Sequence, residues 1–135
     1  MSINIQRNQK KRVVIVGGGL GGLRLAEDLY GSGMQVVLID KNNFHQFPPL
    51  IYQIASAGID PSSISFPFRQ IFRKQKDFYF RMAEARMVDV EKKILQTSIG
   101  KIDYDYLVLA AGATTNFFGN KNIEEWAIPM KTVPE

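Results

Sequence analysis

The hydrophobic pattern is clearest near the amino terminus, where two apolar runs flank a glycine-rich stretch. Residues 13–16 (VVIV) and 36–39 (VVLI) are continuously apolar rather than alternating, which is typical of parallel strands covered on both faces. Between the two runs, apolar residues recur at helical spacing: Leu20, Leu23, Ala26 and Tyr30. Gly31 and Gly33 are expected to end that helix. The pattern therefore predicts a β-α-β unit with a tight loop over residues 17–22.

The next part of the chain is predicted to be a loop followed by a second helix. Residues 42–53 are expected to form the loop because Pro48 and Pro49 disfavour a regular helix. Residues 60–74 offer N-cap candidates at Asp60, Ser62 or Ser63. Four residues give this second helix an apolar face: Ile64, Phe68, Ile71 and Phe72. Pro67 is expected to break or shorten it.

The rest of the pattern predicts further strands. Residues 78–97 indicate short strands with a turn at 91–93, and residues 106–110 indicate a strand that ends at Gly112. No element is predicted beyond Thr114. The interpretation is an α/β fold, a Rossmann-like βαβ domain with a mostly parallel sheet, in which residues 1–12 are a polar lead-in and residues 13–135 form the domain.

Composition and charge limit the function classes. The chain has 135 residues, 45% of them hydrophobic, and no cysteine, so no disulfide, thiolate metal site or redox dithiol is available within it. The net charge of +4 comes largely from two short clusters, 10–12 and 69–76, which we interpret as solvated surface rather than a nucleic-acid site. His45 is the single histidine and has no cluster of partner ligands, so no metal centre is predicted. Without an apolar run long enough for a signal peptide or a membrane span, a cytoplasmic location is expected.

The glycine-rich stretch follows a G-x-G-x-x-G pattern in the right structural context. Gly17 permits a sharp exit from the strand, Gly19 lets the backbone approach a pyrophosphate, and Gly22 lets helix and strand pack closely. The helix amino terminus then points its free N–H groups at the phosphates. A glycine-rich turn without a ligand is the alternative, but strand, helix, second strand and terminal acid all stand at the expected spacing.

Asp40 ends the second strand, where a carboxylate accepts hydrogen bonds from ribose hydroxyls. A second negative group beside it would be repelled, so a 2′-phosphate is disfavoured there. This fingerprint does not separate NAD from FAD, because both contain adenosine diphosphate.

The chain resembles the flavoproteins that carry two dinucleotide-binding domains, in which the first βαβ unit holds FAD. The resemblance rests on the glycine loop near the amino terminus together with "YDYLVLAAGA" at residues 104–113. In those proteins an Ala-Thr-Gly strand end passes near the flavin. Here Ala111 replaces the threonine, between Ala110 and Gly112, so the motif is weakened.

Residues 40–69 resemble the corresponding segment of type II NADH dehydrogenases. The matching positions are Asn43, His45, Phe47, Pro49, Leu50, Tyr52, Gln53 and Ala55, whereas Pro48 departs from the usual glutamine. The resemblance covers nearly all of residues 12–132. Disulfide reductases are excluded by the absence of cysteine, and sulfide:quinone oxidoreductases are excluded less firmly.

The resemblance implies an FAD-dependent NADH:quinone oxidoreductase, in which FAD takes a hydride from NADH and passes electrons to a quinone. It implies cofactor contacts at the following residues: Gly17, Gly19, Leu20, Gly22, Asp40, Lys41, Ala85, Ala111 and Gly112. A loop on the flavin side is expected to include His45, Pro49, Tyr52 and Gln53. No side chain is predicted to be a catalytic acid or base. The alternative is a regulatory nucleotide-binding module without turnover.

The same resemblance predicts that these residues are the amino-terminal part of a longer polypeptide, because no second glycine loop and no Gly-Asp dipeptide occurs. The missing parts are expected to hold NADH and a segment that seats the protein on the cytoplasmic face of a membrane. Residues 1–135 alone are therefore not expected to oxidise NADH. Apolar residues such as Phe117, Phe118 and Trp126 are expected to be exposed, which favours a homo-oligomer.

Overall fold

The chain folds into three layers around one parallel sheet. The structure is a computed structural model, and it describes residues 2–133. Four parallel strands form the central sheet, in the spatial order β5 (Phe78–Met82), β2 (Gln35–Asp40), β1 (Arg12–Val16) and β9 (Tyr106–Leu109). The predicted α/β fold with a mainly parallel sheet is confirmed, including the β-α-β unit formed by β1, α1 (Leu20–Asp28) and β2.

Both faces of β1 and β2 are covered, as their continuous apolar runs predict. Val14, Val16, Val37 and Ile39 face a core shared with the antiparallel meander of β6 (Ala85–Asp89), β7 (Ile94–Thr97) and β8 (Gly100–Asp103). The alternate residues face a second core packed against α1 and α3 (Phe68–Ile71): Val13, Ile15, Val36 and Leu38. The parallel sheet is therefore the middle layer.

The segment between β2 and β5 differs from the prediction. Residues 42–53 are not only loop, because they contain β3 (Phe44–Gln46), a 3₁₀ turn (Pro48–Leu50) and α2 (Ile51–Ala55). The two prolines fit this geometry because they occupy the first turn, where no N–H is needed.

The predicted second helix over residues 60–74 is wrong. Asp60 caps a 3₁₀ turn (Pro61–Ile64), then β4 (Ser65–Pro67) pairs antiparallel with β3, and only the four residues of α3 are α-helical. Pro67 interrupts the helix, as expected, but the alternative that forms is a strand. The partner strand β3 supplies the hydrogen bonds that a helix would otherwise have made.

The carboxyl-terminal part also contains an element that the sequence pattern did not indicate. A short helix, α4 (Lys121–Trp126), lies beyond Thr114 and is capped by the Asn120 side chain. Phe118 and Trp126 are exposed, as expected, whereas Phe117 is half-buried. Within residues 2–133, no helix is long and apolar enough to cross a membrane.

The lead-in packs onto the fold through its apolar residues and its charges. Ile3 and Ile5 are buried in the core beneath the meander. Arg12 is 1% exposed, and its guanidinium bonds to Gln35, to Asp103 and to the carbonyl of Ile5. Burial lowers the pKa of Arg12, and the charge of Asp103 opposes that shift. Arg12 is therefore not part of a solvated surface cluster.

Asp105 is the acidic hub at the amino-terminal end of the sheet. It accepts from the Arg12 backbone N–H at 2.7 Å and forms ion pairs with Arg7 and Lys11. The Arg12 N–H bond is the main cause that lowers the pKa of the Asp105 carboxyl, and the charges of Arg7 and Lys11 add to it. Because the folded-state pKa is depressed, ionised Asp105 stabilises the fold above about pH 4 and loses this effect as the pH falls through that lowered pKa.

We predict that Asp105→Asn lowers the free energy of unfolding by about 1 kcal/mol at pH 7, because charge-assisted hydrogen bonds are lost. The wild-type advantage should shrink as the pH is lowered from 5 towards 2. Urea unfolding at several pH values measures this difference. The control is Asp28→Asn, which removes an exposed ion pair with Arg24 and should change stability by less than about 0.5 kcal/mol. A wild-type advantage independent of pH would contradict the assignment.

Candidate functional site

A cleft lies at the carboxyl ends of the parallel strands, which is where α/β sheets bind ligands. Its volume is about 210 Å³. Nine residues line it: Val16, Gly17, Ile39, Asp40, Lys41, Ala83, Glu84, Ala85 and Ala111. The cleft thus brings together five of the predicted cofactor residues: Gly17 follows β1, Asp40 and Lys41 lie at the end of β2, Ala111 follows β9, and Ala85 begins β6. A larger cleft of about 390 Å³ lies at the opposite end of the sheet, but it contains none of them.

Two glycines allow three backbone segments to meet beside this cleft. Gly17 has a φ of +102°, and a Cβ added to it would overlap the carbonyl of Ala110 at the end of β9. A Cβ on Gly22 would overlap the carbonyl oxygen of Gly17. The end of β1, the end of β9 and the start of α1 are therefore in direct backbone contact.

The amino terminus of α1 has the features of an anion site. Gly19 is its N-cap residue, no side chain caps it, and its first turn contains no acidic residue. A Cβ added to Gly19 would meet no atom within 4 Å, so the space above this residue is open. The first-turn N–H groups, including that of Leu20, have no acceptor within the helix. This terminus can therefore bind a phosphate group through its N–H groups and its dipole.

Asp40 connects the glycine loop to the cleft. One carboxylate oxygen accepts from the N–H of Gly18 at 2.6 Å, and the other accepts from the N–H of Asn42 at 2.8 Å. Each carboxylate oxygen can accept a further hydrogen bond. Asp40 therefore holds the loop and also remains an acceptor at the edge of the cleft, beside the exposed Lys41.

The four residues expected on the flavin side differ in burial, and none of them lines the cleft. His45 is buried, and its Nδ1 lies 2.9 Å from the carbonyl oxygen of Gly18. Pro49, Tyr52 and Gln53 are exposed on the 3₁₀ turn and on α2, outside the nine residues that line the cleft. His45 thus belongs to the support of the glycine loop.

Sequence reasoning missed one residue within this loop and one beneath it. Gly18 is buried, and a Cβ on it would overlap the ring of the fully buried Phe68. The available signal for Gly18 was that a glycine also occupies the position between Gly17 and Gly19, where the G-x-G-x-x-G pattern allows any residue. Phe68 gave no comparable signal, because it was assigned to the apolar face of a helix.

On the β9 side of the loop, the predicted residues lie at the rim. Ala111 lines the cleft, whereas Gly112 is exposed and has a φ of +69°. The N–H of Ala110 bonds to the carbonyl of Val16 at 2.7 Å, which continues the parallel pairing past β9.

Comparison with known proteins relates this architecture to a redox family. The family model for pyridine nucleotide-disulphide oxidoreductases matches residues 11–133. The chain is 33% identical over 130 residues to the type II NADH:quinone oxidoreductase NdhA of Mycobacterium tuberculosis, covering 93% of this chain and 28% of that relative. The chain thus spans less than a third of that relative's length.

Solved structures give the same relationship at the level of fold. NDH2 from Plasmodium falciparum, solved in complex with NADH, matches with a TM-score of 0.87 and 26% identity over 93% of this chain and 27% of that one. The sulfide:quinone oxidoreductase of Aquifex aeolicus matches with a TM-score of 0.73 and 31% identity over 79% of this chain and 25% of that one.

Two loop glycines should respond differently to an added methyl group. Gly22→Ala is expected to lower the free energy of unfolding by about 1–3 kcal/mol, the usual cost of overpacking, because the methyl meets the Gly17 carbonyl. The control is Gly19→Ala, whose methyl enters open space and should change stability by less than about 0.5 kcal/mol. Denaturant unfolding of the two variants measures the contrast. Equal losses would show that Gly22 is not at a close backbone contact.

Proposed function

The chain belongs to the pyridine nucleotide-disulphide oxidoreductase family, and from this premise we propose that it is the FAD-binding part of a type II NADH:quinone oxidoreductase. The observation that carries the proposal is that an uncapped helix terminus and a glycine cradle lie beside this cleft, with the Asp40 carboxylate at its edge, at the carboxyl ends of the strands. The similarity to NdhA over 93% of the chain supports the same activity.

The residues of the cleft and of the adjoining glycine loop fit a dinucleotide. The backbone around Gly17, Gly19 and Leu20 would hold the pyrophosphate, because side chains are absent where the phosphates must approach. Gly22 lets α1 come close enough for its amino terminus to act on the same group. Asp40 would accept from the ribose hydroxyls through the lone pairs that Gly18 and Asn42 leave free.

The adenosine end of the cleft favours a ribose without an extra phosphate. Asp40 and Glu84 both line it, so two carboxylates would repel a 2′-phosphate. Ala85 offers a small side chain and backbone groups beside an adenine. Lys41 is the one cation among the nine lining residues, and its exposed side chain would remain in water.

The remaining predicted residues are proposed to serve the flavin side. Ala111 and Gly112 present small residues past the end of β9, where the backbone can approach a ring closely. Pro49, Tyr52 and Gln53 lie on exposed turns, and their contact with the flavin stays a prediction. Bound FAD would supply the redox chemistry, taking a hydride from NADH and delivering electrons to a quinone. The residues of this chain would bind and orient it.

Three further expectations from the sequence stay predictions. They are binding of NADH and quinone by the whole protein, attachment to the cytoplasmic face of a membrane, and a homo-oligomer. A sulfide:quinone oxidoreductase is the second candidate, favoured by 31% identity to the Aquifex aeolicus enzyme, but over a smaller share of the chain. A regulatory module without turnover is the alternative from another class.

We predict that the protein containing this chain releases FAD on denaturation, identified by chromatography and by its absorption spectrum. Gly19→Ala should release much less FAD with its stability unchanged, because the methyl occupies the space proposed for the pyrophosphate. Release of NAD without flavin would contradict the proposal. Sulfide-dependent rather than NADH-dependent quinone reduction would favour the second candidate.

We further predict that Asp40→Ala weakens FAD binding at least tenfold. Charge-assisted hydrogen bonds contribute about 1.5–3 kcal/mol, and about 1.4 kcal/mol corresponds to a factor of ten. Titration of the apoprotein with FAD measures the affinity. Glu27→Ala removes an exposed acid on α1 away from the cleft and should bind FAD as the wild type does. Equal affinity of Asp40→Ala and wild type would contradict the role of Asp40.

A further inference from the structure

The buried Gly18 is held by hydrogen bonds on both of its peptide groups. Its N–H donates to the Asp40 carboxylate at 2.6 Å, and its carbonyl oxygen lies 2.9 Å from Nδ1 of His45. A carbonyl only accepts, so Nδ1 must carry the proton in this contact. The two side chains come from different elements, since Asp40 ends β2 and His45 lies in the middle of β3.

These two bonds orient two successive peptide planes. A trans peptide is planar, with its C=O and N–H pointing in opposite directions, and residues 2–133 contain no cis bond. Fixing the Gly18 carbonyl towards His45 therefore directs the N–H of Gly19 to the opposite side. The Asp40 bond similarly directs the Gly17 carbonyl away from Asp40, and that oxygen lies against Gly22.

Without such restraint this segment would have unusual freedom. Gly17, Gly18 and Gly19 are consecutive, and glycine reaches conformations that other residues rarely adopt. Rotation of the Gly18–Gly19 peptide would replace an N–H by a carbonyl on the side away from His45. An anionic ligand there would then meet a partial negative charge instead of a donor. Phe68 fills the space beneath Gly18 but makes no hydrogen bond that selects a peptide orientation.

We propose that His45 is a positioning residue, which donates from Nδ1 to the Gly18 carbonyl and thereby aims the Gly19 N–H at the phosphates of the bound dinucleotide. The inference rests on the proposed dinucleotide site. His45 touches no cofactor in this role, and it acts only through the loop. The buried position and the bond from its ring to Gly18 explain why a histidine stands where an apolar residue would otherwise pack.

Two nearly isosteric substitutions isolate the hydrogen bond. In His45→Asn the amide nitrogen takes the place of Nδ1 and can donate to Gly18, whereas His45→Leu has the same branched shape without a donor. Titration of the apoprotein containing this chain with FAD should give a dissociation constant at least tenfold higher for His45→Leu. For His45→Asn the increase should be less than about threefold, because the donor is restored.

Stability measurements separate this role from simple packing. Thermal unfolding of the apo forms is measured for both variants and for Ile64→Val, which removes a buried methyl near β3 without changing a bond to Gly18. The proposal expects a loss of FAD affinity of tenfold or more only in His45→Leu, whatever the melting temperature of that variant. It is overturned if His45→Leu binds FAD as the wild type does, or if all three variants lose affinity in proportion to their loss of stability.

The protonation of the ring provides a test that does not depend on FAD. His45 is the single histidine of the 135 residues, so its imidazole ¹⁵N signals are identified by their loss in His45→Asn. Nδ1 should give the signal of a protonated ring nitrogen in the apoprotein. A deprotonated Nδ1 would overturn the proposal even if FAD binds. A protonated Nδ1 in a wild-type protein that binds no dinucleotide would instead contradict the proposed function while leaving the contact with Gly18 intact.

Discussion

Direct backbone contact between the ends of β1 and β9 and the start of α1 is the constraint on which this fold and its site depend. Gly17 and Gly22 permit that contact, since a Cβ at either position would overlap a carbonyl group. The contact turns the chain sharply out of β1 and brings the amino terminus of α1 over the end of the sheet. Four of the nine residues that line the neighbouring cleft are glycine or alanine.

Polar groups are satisfied differently at the two ends of the parallel sheet. At the amino-terminal ends of the strands, charges are neutralised locally: buried Arg12 bonds to Asp103 and Gln35, and Asp105 accepts from the Arg12 N–H and pairs with Arg7. At the carboxyl ends, the donors at the start of α1 have no capping side chain. The polar groups at the amino-terminal end therefore satisfy one another, whereas the donors at the carboxyl end remain able to bind a ligand. This difference is consistent with a cofactor-binding family.

The antiparallel pair of β3 and β4 links the residues that support the site to the rest of the chain. It places His45 under the glycine loop, and its neighbour Gln46 bonds to the backbone of Lys131 and Val133. The segment from Phe118 to Met130 carries several exposed apolar side chains between these points. Hydrogen bonds thus connect the glycine loop, the β3–β4 pair and the carboxyl-terminal segment, although these are far apart in sequence.

The sequence alone determined the elements whose signals are local. Apolar runs identified β1 and β2, glycines identified the loop, and the spacing to Asp40 identified the acid at the cleft, because each signal lies within about one β-α-β unit. Partners distant in sequence decided the rest. Residues 65–67 became a strand because β3 lies beside them, and Arg12 is buried because Asp103 neutralises it. The ring of His45 likewise bonds to a partner distant in sequence, since Gly18 lies 27 residues earlier in the chain. Local periodicity reports which face of an element is apolar, but only tertiary contacts decide which distant group satisfies each polar atom.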